Sequence, residues 1–331
     1  MMGDQEHQPK HMSPDEFRRE ASRAIDLVAA YMQQVQSLPA KPDTKPGDVF
    51  SKIPAQAKHE PGEPGEWSLI FEEIDSLILP NMMHWQSPSF FGYFPCNSTG
   101  PAIIGELLSA GLGQQGMLWQ TSPASNELER ALLDQMGRAM GLPESFLSTS
   151  DNGGGCIQST ASEATLTAMV AGRRRVTERG ADFHKTTVYA STQTHSSFVK
   201  AGLIAGLASS AEDTSRVRSI AVNDRCEMDL GVLDRSIRED MDNGLTPAMV
   251  CATLGTTGTT AIDDLAGIVR VLRDTGAADA GCWLHVDAAH AGAMLVCPEH
   301  RSMIEGIEQA DSLCFNPHKW LLVNFDCDLF W

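Results

Sequence analysis

The stretch Cys282-Trp283-Leu284-His285-Val286-Asp287 is an apolar run of strand length that ends in a carboxylate. Similar β-rich runs recur in the second half of the chain, most of them separated by helix-length stretches: Thr187–Ala190, Ser219–Val222, Ala248–Leu254 and Ser312–Phe315. This alternation is typical of a parallel sheet with helices on both faces. The sequence therefore predicts an α/β fold from about residue 125 onward, with ligands bound at the carboxyl ends of the strands.

The N-terminal part is organised differently. Residues Ser13–Glu16 predict a helix start, with serine as N-cap, proline at the first helical position and glutamate closing a capping box. Apolar residues recur at helical spacing over Phe17–Val35 and need a partner surface, in their own domain or in another subunit. Prolines and a glycine over 39–47 then end the helix. We expect an N-terminal helical segment with a linker over 1–100 and a large α/β domain over 101–331.

Composition limits the partners. The 331 residues carry a formal net charge of -18, and this acidic excess repels nucleic acid and anionic membranes. No apolar run is long enough to cross a bilayer, and the N-terminus lacks the apolar core of a signal peptide. None of the cysteines has CxxC spacing, and Cys251, Cys282 and Cys314 lie in predicted strands, as reduced core residues do. We expect a soluble cytoplasmic protein.

A lysine with unusual neighbours follows one predicted strand. Lys319 lies in Asn316-Pro317-His318-Lys319-Trp320, directly after the run Ser312–Phe315. A lone lysine is usually a surface residue, but proline, histidine and tryptophan are unusual neighbours in a solvated loop. A lysine in a desolvated pocket has a lowered pKa and can form a Schiff base with an aldehyde cofactor.

An aspartate ends another strand. Burying Asp287 is costly unless a cationic group lies beside it, and a protonated pyridine nitrogen is such a group. Because His285 and Asp287 share one strand face and His290 is near, a metal site is the alternative. No fourth ligand stands at a suitable spacing, so the sequence favours the pyridine cofactor and no metal.

A phosphate site is expected near residue 160. Three glycines, Gly153–Gly155, lead into small hydroxyl residues and a helix predicted from about Ala161 to Arg174. Thr160 and Glu163 have capping-box spacing, and free amides at a helix N-terminus bind phosphate. The segment has no nucleotide fingerprint, so the phosphate need not belong to a nucleotide.

Two further polar segments follow strands. His195 comes after the run Thr187–Ala190, where a histidine can stack on an aromatic ring or move protons. A structural, hydrogen-bonded histidine is an equal alternative. The turn Gly255–Thr260 follows the run Ala248–Leu254 and either lines a cofactor face or simply caps the next helix.

Taken together, these segments resemble the pyridoxal-dependent amino-acid decarboxylase family, specifically its aromatic-L-amino-acid decarboxylase branch. The resemblance extends from Ser13 to the last residue, and its strength lies in the order of the motifs. The matching segments are His84-Trp85 with Ser87-Pro88, Phe91–Pro95, Thr121–Ala124, Thr160–Thr165, Thr194–Ser197, Gly255–Gly258, His285–Ala289 and Asn316–Trp320.

The resemblance implies a fold type I enzyme that binds pyridoxal 5'-phosphate and forms a homodimer with active sites at the subunit interface. Lys319 resembles the Schiff-base lysine, Asp287 the partner of the pyridine nitrogen, and His195 the residue stacked on the ring. The other implied cofactor and phosphate contacts are Ala161, Ser162, Thr256, Asn316 and His318. The implied substrate-side wall consists of Trp85, Tyr93, Phe94, Pro95, Cys96 and Met117.

Several positions depart from the pattern. His290 stands where many members carry an aromatic residue, and Gln86, Cys96 and Met117 replace residues of the animal members. These changes bear on the substrate more than on the chemistry. Because an apolar wall contains no cation for glutamate, we expect decarboxylation of an aromatic L-amino acid.

The end of the chain is the largest departure. Residues 325–331 resemble the strand that returns after the lysine, and the family continues with a mobile loop bearing a catalytic tyrosine and a small domain. We therefore expect a C-terminally truncated chain that is feebly active and prone to aggregate. The alternatives are an aldehyde synthase of the same family and a catalytically silent chain that acts only as a subunit.

Overall fold

The computed structural model describes residues 12–55, 66–94 and 96–331. The chain divides into two units, Met1–Pro95 and Cys96–Trp331. In the part of the chain that is described, no helix is long and apolar enough to span a membrane.

The first unit contains helix α1, Pro14–Gln34, and helix α2, Glu66–Glu73, which continues as a π-helical turn over Ile74–Ile78. The predicted cap of α1 is confirmed. The Glu16 amide donates to Ser13 Oγ at 3.2 Å, and the Ser13 amide donates to Glu16 Oε2 at 2.8 Å. Part of the apolar stripe on α1 remains open, since Phe17 is 53% exposed.

The second unit alternates strands and helices, as predicted. Its strands are β1 Cys156–Gln158, β2 Thr186–Ser191, β3 Val217–Ile220, β4 Thr246–Thr253, β5 Trp283–Asp287, β6 Ser312–Phe315 and β7 Asp328–Phe330. Its helices are α3 Gly100–Leu112, α4 Pro123–Met140, α5 Ala161–Glu178, α6 Ser197–Ile204, α7 Leu230–Asp242, α8 Leu265–Asp274, α9 Ala277–Ala280 and α10 Pro317–Trp320.

The described strands form one sheet in the order β1-β7-β6-β5-β4-β2-β3. Neighbours from β3 to β6 pair in parallel, whereas β7 is antiparallel to both β6 and β1. One face packs under α7 and α8, through residues such as Val250 and Leu284. The other packs under α5 and α6, through residues such as Met249 and Cys251. Helices on both faces of a mostly parallel sheet confirm the predicted architecture.

One strand was missed and one local prediction was wrong. No element was predicted for residues 156–158, which form β1 and pair with β7. The capping box at Thr160 does not form, because the Glu163 carboxylate instead accepts the amide and hydroxyl of Ser159, at 3.2 and 2.7 Å. A three-residue strand is too short to show a periodic pattern, and Ser159 offers Glu163 two donors at once.

The strand order places the polar segments at one end of the sheet. Strands β4, β5 and β6 run in parallel, so the residues that follow Thr253, Asp287 and Phe315 emerge at one edge of the sheet. Because β7 runs the opposite way, its first residue, Asp328, lies at this same edge. Carboxyl-terminal edges of this kind are where open α/β sheets bind ligands.

Candidate active site

Asp287 ends β5 with its side chain buried, 5% exposed. Its Oδ1 accepts the amide of Ala289 at 3.0 Å, and its carbonyl accepts the amide of Leu254 at 2.8 Å. Both bonds hold the strand end in one orientation. The carboxylate keeps acceptor capacity on its second oxygen, which suits it to a cationic partner.

Lys319 lies in α10, which starts directly after β6 because Pro317 stands at the first helical turn. Its side chain is half-buried. Burial lowers the pKa of the Lys319 amine, while the negative charge of Asp287 acts in the opposite direction. The structure therefore brings Lys319 within electrostatic range of Asp287.

His195 follows β2 and is exposed. Its Nδ1 accepts the amide of Ser197 at 3.2 Å, so Nε2 carries the proton of the neutral ring. Desolvation lowers the pKa of His195, Asp287 raises it, and Lys319 lowers it. These mutual effects show that the structure groups His195, Asp287 and Lys319 at one edge of the sheet.

Three of the expected cofactor and phosphate contacts, Ala161, Ser162 and Asn316, lie at or beside the start of α5. The amide of Ala161, its first residue, donates to Asn316 Oδ1 at 3.2 Å, and the amide of Asn316 donates to the carbonyl of Ala289 at 3.1 Å. Ser162 is exposed on the first turn of α5. The start of a helix with an exposed hydroxyl on its first turn is a suitable site for phosphate, and here the Ala161 amide is already bonded to Asn316.

His318 is buried beside Lys319, and its Nδ1 accepts the amide of Cys327 at 2.9 Å. Burial lowers the pKa of His318, and the neighbouring Lys319 lowers it further. The imidazole is therefore a neutral ring with its proton on Nε2. It ties the start of β7 to the segment that carries the lysine.

Thr256 is turned into its own loop. Its Oγ1 accepts the amide of Ala261 at 3.1 Å and contacts Thr259 Oγ1 at 2.8 Å. The loop needs glycine at Gly255, where φ is +83° and an added Cβ would stand 2.9 Å from Ala291 Cβ. The hydroxyl of Thr256 therefore forms hydrogen bonds that stabilise its own turn.

Four members of the expected substrate wall fall in the first unit, three of them among the described residues. The Trp85 ring stacks on Phe90 and Tyr93, with centroids 4.8 and 5.5 Å apart. Tyr93 is exposed and Phe94 half-buried, whereas Pro95 lies outside the described residues. Stacking confines the indole, so this segment presents an ordered aromatic surface.

Cys96 and Met117 belong to the second unit. Cys96 is half-buried, and burial together with the charge of Asp326 raises the pKa of its thiol. Met117 is 73% exposed and follows α3. The structure does not enclose Met117 within this unit.

The histidines of the alternative metal site have other roles. His285 Nδ1 contacts Ser312 Oγ at 2.9 Å, and burial lowers the pKa of His285 to about 4. The His290 ring stacks on Trp320 at 5.0 Å. Within the described ranges, no group of three or more His, Cys, Asp or Glu side chains is arranged to hold a metal ion.

Sequence reasoning missed Asp328. It is fully buried at the start of β7, and neither carboxyl oxygen has a hydrogen-bond partner among the described residues. The signal that marked Asp287, a carboxylate at the ligand-binding end of a buried strand, is also present at Asp328.

Comparisons with known proteins show the family of this chain. The chain matches the family described as "Pyridoxal-dependent decarboxylase conserved domain" over residues 46–331. It is 41% identical to the aromatic-L-amino-acid decarboxylase of Bos taurus, covering 97% of this chain and 65% of that protein. It is 39% identical to the phenylacetaldehyde synthase of Arabidopsis thaliana, covering 97% and 64%.

A solved structure shows the same architecture. The crystal structure of Catharanthus roseus tryptophan decarboxylase in complex with L-tryptophan matches with a TM-score of 0.90 and 36% identity, over 97% of this chain and 67% of that one. The architecture is thus that of a fold type I pyridoxal-phosphate enzyme. The chain belongs to the pyridoxal-dependent decarboxylase family, whose cofactor is pyridoxal 5'-phosphate. It spans 65% of the length of the bovine relative.

Proposed function

We propose that this chain carries the cofactor site of a carboxy-lyase that decarboxylates an aromatic L-amino acid. The observation that carries the proposal is the grouping of Lys319, Asp287 and His195 at the carboxyl edge of the sheet. Fold alone would not suffice, because one architecture serves many activities. An amine, a carboxylate and an imidazole in mutual range provide the groups that this chemistry needs.

The donor set fits pyridoxal phosphate. Lys319 would bond to the aldehyde carbon, Asp287 would pair with the ring nitrogen, and His195 would lie against the ring. The phosphate would lie at the start of α5, beside the exposed hydroxyl of Ser162. The proposed contacts there and beside it are Ala161, Ser162, Thr256, Asn316 and His318. When bound, the cofactor supplies an electron sink for the electrons left after carbon dioxide departs.

The chain's own residues make that chemistry feasible. Burial lowers the pKa of Lys319, which raises the fraction of neutral amine able to attack a carbonyl carbon. The carboxylate of Asp287, oriented by the Ala289 amide, would hold a proton on the ring nitrogen. His195 holds its own proton on Nε2, from which it can donate.

We propose an aromatic substrate because the expected wall is apolar. Its members are Trp85, Tyr93, Phe94, Pro95, Cys96 and Met117, and none is cationic. The L-tryptophan bound to the Catharanthus relative supports this class. An apolar pocket discriminates weakly against an added hydroxyl, so tryptophan, tyrosine and DOPA should all be tested. Faster turnover of glutamate than of these three would contradict the proposal.

Cofactor attachment is the direct test. The protein is loaded with pyridoxal phosphate, reduced with borohydride, digested and mapped for the pyridoxyl adduct. The adduct should lie on Lys319, disappear in Lys319→Ala and persist in Lys200→Ala, a control lysine close to His195 in the chain. An adduct chiefly on another lysine would refute the assignment.

The Arabidopsis relative raises the aldehyde synthase alternative. No described residue favours it over simple decarboxylation. Product analysis separates the two: a decarboxylase releases one amine per carbon dioxide, whereas an aldehyde synthase consumes oxygen and releases aldehyde, ammonia and hydrogen peroxide.

We further propose a cytoplasmic homodimer with its active sites at the subunit interface. The support is helix α3, where Ile104, Leu108 and Leu112 form an exposed apolar stripe at i, i+4, i+8 spacing. Light scattering after size exclusion should report a dimer. Leu108→Glu should dissociate it, whereas Ile204→Glu, at an exposed position on α6, should not. A monomeric parent chain would contradict the proposal, and cell fractionation tests the location.

A further inference from the structure

Three buried oxygens of one cross-strand residue pair lack a donor among the described residues. Both carboxyl oxygens of Asp328 and the Oε1 of Gln158 have no hydrogen-bond partner in the described ranges. Gln158 and Asp328 are directly opposite in the antiparallel β1–β7 pair, so their side chains share one face. Buried acceptors without a donor are costly, and three of them at one place call for an explanation.

A proton on Asp328 supplies the missing donor. The protonated carboxyl group can donate to Gln158 Oε1 across the strand pair, which satisfies two of the three oxygens. The electrostatics agree with this. Burial and the negative charge of Asp287 raise the pKa of Asp328 to about 9, with Lys319 acting in the opposite direction.

The register places this acid on the face that carries the candidate active site. Asp287 pairs with Cys314, and Cys314 pairs with Phe330. Asp328 is two residues before Phe330 and therefore points to the same side of the sheet as Asp287. The Cys327 amide, immediately before it, donates to His318, the neighbour of Lys319.

The geometry points to Asp328 as a positioning residue of the candidate active site, held by Gln158 and acting on the nitrogen of Lys319. This goes beyond the proposed cofactor contacts and rests on the proposed role of Lys319. Asp287 would pair with the cofactor ring, whereas Asp328 would control the proton on the lysine.

Several ionisable groups surround Asp328 and Lys319 and affect their protonation. The ionisable groups that influence Asp328 or Lys319 lie on several elements and loops. They are Cys156 on β1, Glu163 on α5, Asp287 on β5, Cys314 on β6, His318 on α10, and Cys327, His195 and His290 in loops. Asp287 and Lys319 carry opposite charges, so Asp328 is the acid whose ionisation changes the net charge of the group. When Asp328 ionises, its charge favours the proton on Lys319, and the two titrations are coupled.

The first test needs no cofactor. Lys319 is reductively methylated at a series of pH values, and its modification rate is measured by peptide mapping. Asp328→Asn removes the negative charge that holds the lysine proton, so the apparent pKa of Lys319 should fall by about one unit. Near pH 9 Lys319 should then react up to roughly tenfold faster. Asp326→Asn, an exposed carboxylate two residues away, is the control and should leave the rate unchanged.

The second test uses the loaded protein. The pH at which the visible absorbance of Lys319-bound cofactor changes should fall by roughly one unit in Asp328→Asn and stay unchanged in Asp326→Asn. Asp328→Ser, a smaller substitution, should repeat the shift if the asparagine variant folds poorly. If Asp328 had only a structural role, its replacement would alter stability but would not shift the pH dependence of Lys319 methylation or of cofactor absorbance.

The outcomes separate this inference from the proposed function. Unchanged Lys319 methylation in both Asp328 variants would overturn it, whether or not the cofactor binds. If the methylation rates rise as expected but no cofactor attaches to Lys319, the proposed function fails and the action of Asp328 on the lysine stands. An infrared band of a protonated carboxylic acid should be present in the parent chain and lost in Asp328→Asn, and its persistence would also overturn the inference.

Discussion

Replacing Asp328 by asparagine should make the cofactor-free protein more stable, and increasingly so as the pH rises. The side chain is fully buried and lacks hydrogen-bond donors among the described residues. Burial, with the charge of Asp287, raises the pKa of Asp328 from 3.8 to about 9. Asparagine has nearly the same shape but cannot ionise, so the comparison isolates the effect of the ionisable group.

The sign follows from linkage between protonation and folding. Below about pH 4 the acid is protonated in both the folded and the unfolded chain, and it costs nothing. Above that pH the unfolded chain releases the proton while the folded chain retains it, until the folded pKa of about 9 is reached. Each pH unit in this window costs the folded state about 1.4 kcal/mol, so the penalty at pH 7 is about 4 kcal/mol.

Urea unfolding at pH 5, 7 and 9 measures this penalty. The stability difference between Asp328→Asn and the parent chain should rise by about 2–3 kcal/mol between pH 5 and pH 7, and rise further toward pH 9. Asp326→Asn should show no such slope, because that carboxylate is exposed. A difference that stays constant across the three pH values would refute the reasoning, whatever its size.

Three further substitutions test the site and its scaffold. Asp287→Asn should lower the decarboxylation rate of the loaded enzyme by about 10²-fold or more with a smaller effect on unfolding, and near-normal turnover would contradict its role. Gly292→Ala should cost about 1–3 kcal/mol in urea unfolding, because its Cβ would stand 2.4 Å from Phe315 Cβ. Tyr189→Phe should cost about 1–3 kcal/mol, because the hydroxyl donates to buried Asp240 at 2.7 Å; an unchanged midpoint would show that the bond contributes nothing.

The strands that could be predicted are those buried on both faces. The runs that became β2, β4, β5 and β6 are continuous and apolar because helices cover both sides of the sheet. The run predicted over Ser219–Val222 was two residues late, since β3 is an edge strand with only Val217 and Ile220 buried. Strand β1 has no recognisable sequence pattern, because its three residues form a strand through pairing with β7.

The candidate site was predictable where a residue type conflicts with its surroundings. A carboxylate ending an apolar run marked Asp287, and a lysine among proline, histidine and tryptophan marked Lys319. The structure adds how the elements meet: the Ala161 amide on Asn316 joins residues 155 positions apart. No local pattern contains such a contact, because it depends on the order of the strands.

Asp328 shows why charge must be counted over the assembled site. Asp287 carries a carboxyl group and Lys319 an amine. Together they can form an ion pair with no net charge at the carboxyl end of the sheet. A second ionised carboxyl group buried on the same face would leave a net negative charge without a partner, which a low-dielectric interior disfavours. Asp328 therefore keeps its proton at neutral pH and releases it only as the pH approaches its raised pKa of about 9. This predicts that a neutral polar residue at 328 preserves the charge state of the site at pH 7 and alters it only in alkaline solution.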